Sequence, residues 1–436
     1  MTFSENTSHG CPRVELVFEG PRGSLSRYAQ STKPVGCYLS QSTKERILSE
    51  LSFRMGELFS GPGGMALGAR LAANAVDGVE LTHAWANDFD LDTCRTYRRN
   101  ILVPEYGDEA KVVSSATDLP ADGGGIVHQN VHDLGIEDLG PVEGFAFGFP
   151  CNDYSLVGEW KGLTGTYGPL YSYGVEVLAT KRPMWFVAEN VSGLRGANEG
   201  QAFKQILQHL QEPTDGLRYK LVPHLYSFDD YGVPQRRQRI VIVGIRADID
   251  VEFRVPSPEI YKGADVSART SLMSPPINLY APNHEFTRQS QNVVDRLNLI
   301  EAGEHAFSPR VLEILPEHLK IKTRTTISTT YKRLEPNKPA YTVTGAGGGG
   351  SHMYHWSANR ALTNREKARL QSFPDEFVFE GRKNSVRKQV GMAVPVKGAE
   401  AIFTALFKSL AGRSYPSINP NIEISKILAS EASSRV

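Results

Sequence analysis

Val187-Ala188-Glu189-Asn190-Val191 and Arg239-Ile240-Val241-Ile242-Val243-Gly244-Ile245, with the helical pattern from Gln201 to Leu210 between them, decide the fold class. Short β-branched runs alternating with helix-length stretches imply an α/β fold: a mostly parallel sheet with helices on both faces. This pattern holds from about residue 55 to 245. Before it, residues 1–40 are rich in Ser, Gly and Pro and read as a loosely ordered extension. Ser42 and Glu45 have capping-box spacing, which predicts a short helix near 43–52. After it, residues from about 250 to 335 carry few strand-like runs and many Pro, Ser and charged residues, the mark of a separate irregular domain or long insertion. The glycine run from Gly345 to Gly350 marks flexible or closely approached backbone. Helices are expected at Asn364–Gln371 and, as the last one, at Gly398–Ala411. No internal repeat is found.

The 436 residues suit a large domain plus a smaller one. Hydrophobic residues at 40% and charged residues at 22% fit a globular chain with a real core. No apolar run is long enough to span a membrane, and the N-terminus lacks the pattern of a secretory signal. Cys11, Cys37, Cys94 and Cys151 are too irregularly spaced for a disulfide framework or a zinc site and suit a reducing cytoplasm. Net charge is +0, so the chain is not globally basic. Lys320, Lys322, Arg324, Lys332, Arg333 and Lys338, against one acid at Glu335, still form a local basic patch, and Arg236, Arg237 and Arg239 form another. Such patches are either solvated surface or a grip on phosphate.

Four short motifs carry chemistry. Leu58-Phe59-Ser60-Gly61-Pro62-Gly63-Gly64 closes a strand and opens a helix, a turn that lets backbone approach a ligand and favours negative charge. Asn87-Asp88-Phe89-Asp90 puts an acid at the next strand tip, where it can accept from ribose hydroxyls. Gly61-x-Gly63-x-x-Ala66 also meets a loose dinucleotide fingerprint, and a purely structural turn would look the same. Gly148-Phe149-Pro150-Cys151-Asn152 places a thiol at a strand mouth, although a lone Cys is usually a small buried hydrophobe. Glu189 sits at the carboxyl end of an apolar strand, where burial would raise its pKa and let it hold a proton; a surface ion pair is the plainer alternative. Gln235-Arg236-Arg237-Gln238-Arg239 can aim two arginines at one pocket, or simply end a strand in solvent.

Together and in this order, these motifs resemble the DNA cytosine-5 methyltransferase family. So does the tail, with Leu362-Thr363-Asn364-Arg365-Glu366-Lys367-Ala368-Arg369-Leu370-Gln371 before Phe373-Pro374-Asp375, and Gln389-Val390-Gly391-Met392-Ala393-Val394-Pro395. The resemblance covers roughly residues 55–410 outside the variable region. It implies an S-adenosylmethionine-dependent, Rossmann-like fold with a smaller irregular target recognition domain. The implied division is an extension at 1–50, a catalytic and cofactor-binding domain at 51–250, and a target recognition domain at 251–384. In the last of these, 339–384 returns toward the catalytic domain, and 385–436 completes that domain.

Residue by residue, the resemblance implies that Cys151 attacks C6 of a flipped cytosine as thiolate. Glu189 would hold and protonate N3, and Arg239 with Arg237 would contact the base or steady that acid. For the methyl donor, S-adenosylmethionine, it implies Phe59, Gly61, Gly63, Gly64, Asp88, Phe89, Asn130, Leu170 and Val394, with no metal. Tyr154, Ser155 and the glycines Gly158, Gly162, Gly165 and Gly168 match a loop that closes over the base, and the basic run 320–338 a backbone contact. Asn152, Asn130 and Met392 depart from the family's usual glutamine, aspartate and asparagine. The implied setting is a monomer in the bacterial cytoplasm that acts on double-stranded DNA, beside a separately acting restriction endonuclease and without a membrane. A tRNA-acting cytosine-5 methyltransferase, a non-catalytic binding module and an NAD oxidoreductase are the competing readings.

Overall fold

The computed structural model describes residues 51–150, 170–321, 328–345, 347 and 349–429. Eight strands build the main sheet: β1 (Leu51–Leu58), β2 (Val79–Asp88), β3 (Lys111–Val113), β4 (Gly125–His128), β5 (Gly144–Gly148), β6 (Trp185–Val191), β7 (Tyr219–Ser227) and β8 (Gln238–Arg246). Their spatial order is β3-β4-β2-β1-β5-β6-β8-β7. Neighbours pair in parallel except at β8, which runs against both β6 and β7. The mostly parallel sheet expected from sequence is therefore present.

Side chains alternate between two cores, one on each face. Trp185, Val187, Val241 and Val243 join the first core, and Phe186, Ala188, Ile240 and Ile242 the second. The first face is covered by α1 (Gly64–Ala75). The second is covered by α3 (Tyr171–Lys181) and α4 (Gln201–Gln211), while α2 (Leu91–Tyr97) adds Cys94 and Tyr97 to the first core. From the C-terminal third, α5 (Asn364–Leu370), α6 (Lys383–Met392) and α7 (Val396–Leu410) return to the first face. Gly68 of α1 lies against Ala399 and Glu400 of α7, with no room for a Cβ, so the two helices pack backbone to backbone. Residues 383–410 are apolar enough to resemble a membrane span, but 72% of that window is buried inside the protein.

Several expectations are corrected. Residues 51 and 52 belong to β1 rather than to a helix, because Leu51 pairs with Val79 and its N–H bonds Gly78; sheet pairing outweighs a local capping signal. The helix near the C-terminus is not the last, since Ile424–Ala429 forms another. The region from 250 contains the short helices Ala268–Met273, Gln291–Leu299 and Pro309–Ile314. Leu297, Ile300, Val311, Leu319, Tyr331 and Tyr354 form a third, small core there.

Glycine sits opposite an aromatic residue at three points across the sheet. Trp85 lies over Gly56, Trp185 over Gly144 and Phe186 over Gly244, each pair in direct strand register. The ring occupies the space a cross-strand Cβ would need, which fixes the register locally. Trp185 cannot swing away, because Phe53, Phe403 and Phe407 pack around it. Replacing Gly144 by Ala should therefore cost about 1–3 kcal/mol, the usual range for overpacking. In urea unfolding, the midpoint should fall with an unchanged slope; an unchanged midpoint would show that the ring can yield.

Candidate active site

The strands β2, β1, β5 and β6 are adjacent and parallel, so their carboxyl ends share one edge of the sheet. Open α/β sheets bind ligands at such an edge. The glycine loop after β1, Asp88 ending β2, Phe149-Pro150 after β5 and Glu189 near the end of β6 all converge there.

The glycine loop is built to hold its backbone close. Phe59, Gly61 and Gly63 all have positive φ, at 52°, 55° and 98°. Ser60 donates its N–H to the Asn87 carbonyl at 3.1 Å, and Gly61 donates to Asp88 Oδ2 at 3.0 Å. The carbonyl of Val394 presses on the Gly64 α-carbon and leaves no room for a Cβ. Glycine is thus required at the point where the first motif meets the last one. Asp88 accepts from the Asp90 N–H through Oδ1 as well, yet each carboxylate oxygen keeps a further lone pair. Burial pushes its pKa up to about 6. Phe89 is 67% exposed beside it, a large apolar ring with one face uncovered. Leu170 and Phe59 pack partly buried against the second core, while Asn130 is exposed and accepts from the His132 N–H at 3.2 Å. Met392 is 65% exposed.

At the next strand mouths, Arg239 Nε meets Glu189 Oε1 at 2.7 Å, both side chains being only 13% exposed. Glu189 Oε2 lies beside Gly148, its register partner on β5. Asn190 donates through Nδ2 to the Phe149 carbonyl at 2.9 Å, fixing the chain just ahead of Pro150. Cys151, Asn152 and the loop with Tyr154, Ser155, Gly158, Gly162, Gly165 and Gly168 lie outside the described residues. Arg237, grouped with Arg239 by sequence, is 3% exposed and turns elsewhere. It donates through Nη1 to the Val343 carbonyl and through Nη2 to the Gly391 carbonyl, at 2.9 and 3.1 Å. Burial first, then the nearby Arg239, lowers its pKa to about 9 against the pull of Glu189. Ser192, Ser227, Asp229, Arg236, Gln238 and Thr342 line a cleft of about 400 Å³ next to Arg239.

The basic run between 320 and 338 is largely committed where it is described; residues 322–327 are not. Arg333 is buried and donates to the carbonyls of Leu297, His355 and Ala358. Lys320 pairs with Glu317 and Lys338 with Glu335, while Lys332 lies over the Tyr341 ring.

A family model for the C-5 cytosine-specific DNA methylase matches residues 53–408. The chain belongs to this family. It is 49% identical over 386 residues to the Type II methyltransferase M.BbvI of Brevibacillus brevis, covering 87% of this chain and 98% of that relative. It is 36% identical over 373 residues to the Type II methyltransferase M.NgoFVII of Neisseria gonorrhoeae, covering 84% and 87%. Among solved structures, a prophage-encoded DNA modification methyltransferase of E. coli aligns with TM-score 0.57 at 21% identity, over 83% of this chain and 99% of that one. The S. pombe Dnmt2 methyltransferase aligns with TM-score 0.50 at 16% identity, over 82% and 99%. Both structures share the fold of this methylase.

One group at the site went unread in the sequence. Glu57, directly before the Leu58-Phe59-Ser60 loop, is fully buried. Its Oε2 accepts from Tyr97 Oη at 3.0 Å, while Oε1 has no partner among the described residues. Burial pushes its pKa up to about 8. An acid near the end of β1, directly before the glycine loop, was the available signal. Because the folded-state pKa lies above the unfolded value, stability is greatest while both states keep the proton. It is lost as pH rises through about 8. Asp88 adds the same sign only up to about pH 6. Between pH 6.5 and 8, cofactor-free protein should therefore lose up to about 1.4 kcal/mol per pH unit, and Glu57→Gln should flatten that decline. A Glu57→Gln variant that keeps the wild-type slope in urea titrations would place the proton elsewhere.

Proposed function

We propose that this methylase transfers a methyl group from S-adenosylmethionine to C5 of a flipped-out cytosine in a specific double-stranded DNA sequence, through a covalent adduct on Cys151. The near-buried Glu189–Arg239 ion pair, beside the strand end that leads to Cys151, is the observation that supports this most. The duplex hides C6, so the base must leave the stack at a cost of a few kcal/mol. Cys151 then adds its sulfur to C6 as thiolate. Glu189, with Arg239 on Oε1, gives a proton to N3 through the oxygen beside Gly148, drawing electron density from C6. The activated C5 accepts the methyl, a base removes the C5 proton, the C6–S bond breaks to restore the thiolate, and N3 returns its proton to Glu189.

Features around the glycine loop fit the methyl donor, which supplies an electrophilic methyl when bound. Gly61, Gly63 and Gly64 keep the loop low, and Asp88 can accept from ribose hydroxyls. Phe89 offers a ring for the adenine, and Glu57 Oε1, without a partner among the described residues, suits a cationic ammonium. Leu170 and Val394 would close the pocket, and Asn130 would replace the common aspartate. Residues 251–384 serve as the target recognition domain, supported by the small third core. The two Type II relatives support a role in a restriction-modification system; on that reading the protein acts as a monomer in the bacterial cytoplasm, with a separately acting endonuclease. We assign Arg237 to positioning, since both Nη groups are engaged on main-chain carbonyls.

Duplex DNA carrying 5-fluorocytosine tests the mechanism, because that base cannot release its C5 substituent. With S-adenosylmethionine, wild type should form an adduct that survives denaturing electrophoresis. Cys151→Ser should form none. Glu189→Gln should methylate ordinary DNA about 10²–10⁴-fold more slowly, the usual contribution of a positioned acid. Methyl transfer to tRNA but not to duplex DNA would overturn the substrate assignment.

A further inference from the structure

Three cations with no ion-pair partner among the described residues lie away from the catalytic strand mouths. Lys367 of α5 is 2% exposed, yet it has no ion-pair or side-chain hydrogen-bond partner among the described residues. Lys383 and Arg387 stand one turn apart on α6, and like charges at that spacing repel. The Asn364 side chain donates to the Lys383 carbonyl at 2.9 Å, which holds the starts of the two helices together. Arg387 reaches the Gly345 carbonyl and the Asn384 side chain at 3.3 and 2.9 Å, but no carboxylate. Its guanidinium lies against the Gly347 α-carbon, where any Cβ would collide with it. His352, from the same strand of chain, feels all three cations.

Acids near the cluster are few or already engaged. Glu366 accepts from both Nη atoms of Arg360, at 2.8 and 2.7 Å, and closes the cap of α5 through the Thr363 N–H. Glu285 acts on Lys383 only at longer range. Burial, and then Arg387, lowers the Lys367 pKa to about 8, with Lys383 adding to the fall and Glu366 opposing it. Burial, Lys367, Arg387 and Lys383 lower that of His352 to about 4. A buried cation among like charges is costly unless an anion joins it.

We propose that Lys383 and Arg387, backed by Gly345, Gly347 and His352 and by the positive charge of the buried Lys367, grip one backbone phosphate of the substrate DNA. This rests on the DNA-methylating function proposed above. The cluster is mechanically joined to the catalytic strand. Arg237, two residues before Arg239, bonds Gly391 at the far end of α6 and Val343 just ahead of Gly345. Along α6, Lys383 and Gly391 are only about 12 Å apart at 1.5 Å per residue. A phosphate held here therefore sets the duplex in register with Glu189. Without a Cβ, Gly347 lets the chain lie flat against one side of the guanidinium and fix its position, and the contact carries no sequence information.

The test measures binding of full-length protein to two labelled duplexes over a range of KCl concentrations. One contains the sequence that bisulfite mapping shows to be methylated, and the other is a scrambled version. Lys383→Gln and Arg387→Gln should each weaken both duplexes by similar factors. Each should make the slope of log affinity against log salt shallower by about 1. Lys367→Met should weaken DNA binding while raising the Tm of free protein, whereas a lysine with a purely structural role would lower it. If wild type binds and methylates DNA but the Lys383 and Arg387 variants keep its salt slope, the phosphate site is overturned and the function stands. A loss confined to the mapped duplex would mean base readout, which also overturns it. A wild type that methylates no DNA would instead overturn the underlying function.

Discussion

The site depends on one buried polar seam that ties the last strands of the sheet to the C-terminal third of the chain. Gln235 donates to the Gln371 side chain and accepts from the Val343 N–H, both at 2.7 Å. Gln371 donates to the carbonyls of Val390 and Ala393 at 2.7 and 3.1 Å. Arg237 completes the seam at Val343 and Gly391. Each such bond adds only about 0.5–1.5 kcal/mol net, but stranding a buried donor costs about 1–3 kcal/mol and a charge more. The seam therefore acts chiefly by exclusion. Moving 343 or 391 away would leave a guanidinium and two amides unmatched in the interior.

From that constraint the geometry at the strand mouths follows. Val343 and Gly391 are held from the β8 side, and Val394, three residues past Gly391, rests its carbonyl on Gly64. The glycine loop is thereby roofed by a segment far away in sequence. Asn190 and Arg239 work the same way at shorter range. One fixes the Phe149 carbonyl and the other the Glu189 carboxylate. Glu189 and the chain ahead of Pro150 are thus each held by a side chain from the adjacent strand.

The layout of strands and helices was legible because β-branched runs and helical periods alternate cleanly from 55 to 245. Glu189 and Arg239 were legible as acid and cation at neighbouring strand ends, and antiparallel pairing of β6 with β8 brings them together. Arg237 was not legible in its actual role. Alternation put it beside Arg239, but its partners lie 106 and 154 residues away, where no local pattern points. Glu57 was passed over because its strand also carries Ser52 and Arg54, so one more polar residue did not stand out, and only the fold shows that nothing described there meets Oε1. The basic run 320–338 stood out by composition. Composition cannot tell that Arg333 is engaged by carbonyls or that Lys320 and Lys338 have acids one turn away.

That last difference explains how a chain of net charge +0 can suit a polyanion. What counts for phosphate is not how many cations lie close in sequence but which of them the fold leaves without an acid. Surface pairs such as Lys320–Glu317 are worth about 0–1 kcal/mol, so they neither bind DNA strongly nor resist it. A buried lysine facing a lysine and an arginine is different, since its desolvation is already paid when an anion arrives. The free protein bears that cost as lost stability. Under the phosphate contact proposed above, charge that destabilises the empty fold is placed where a substrate phosphate would neutralise it.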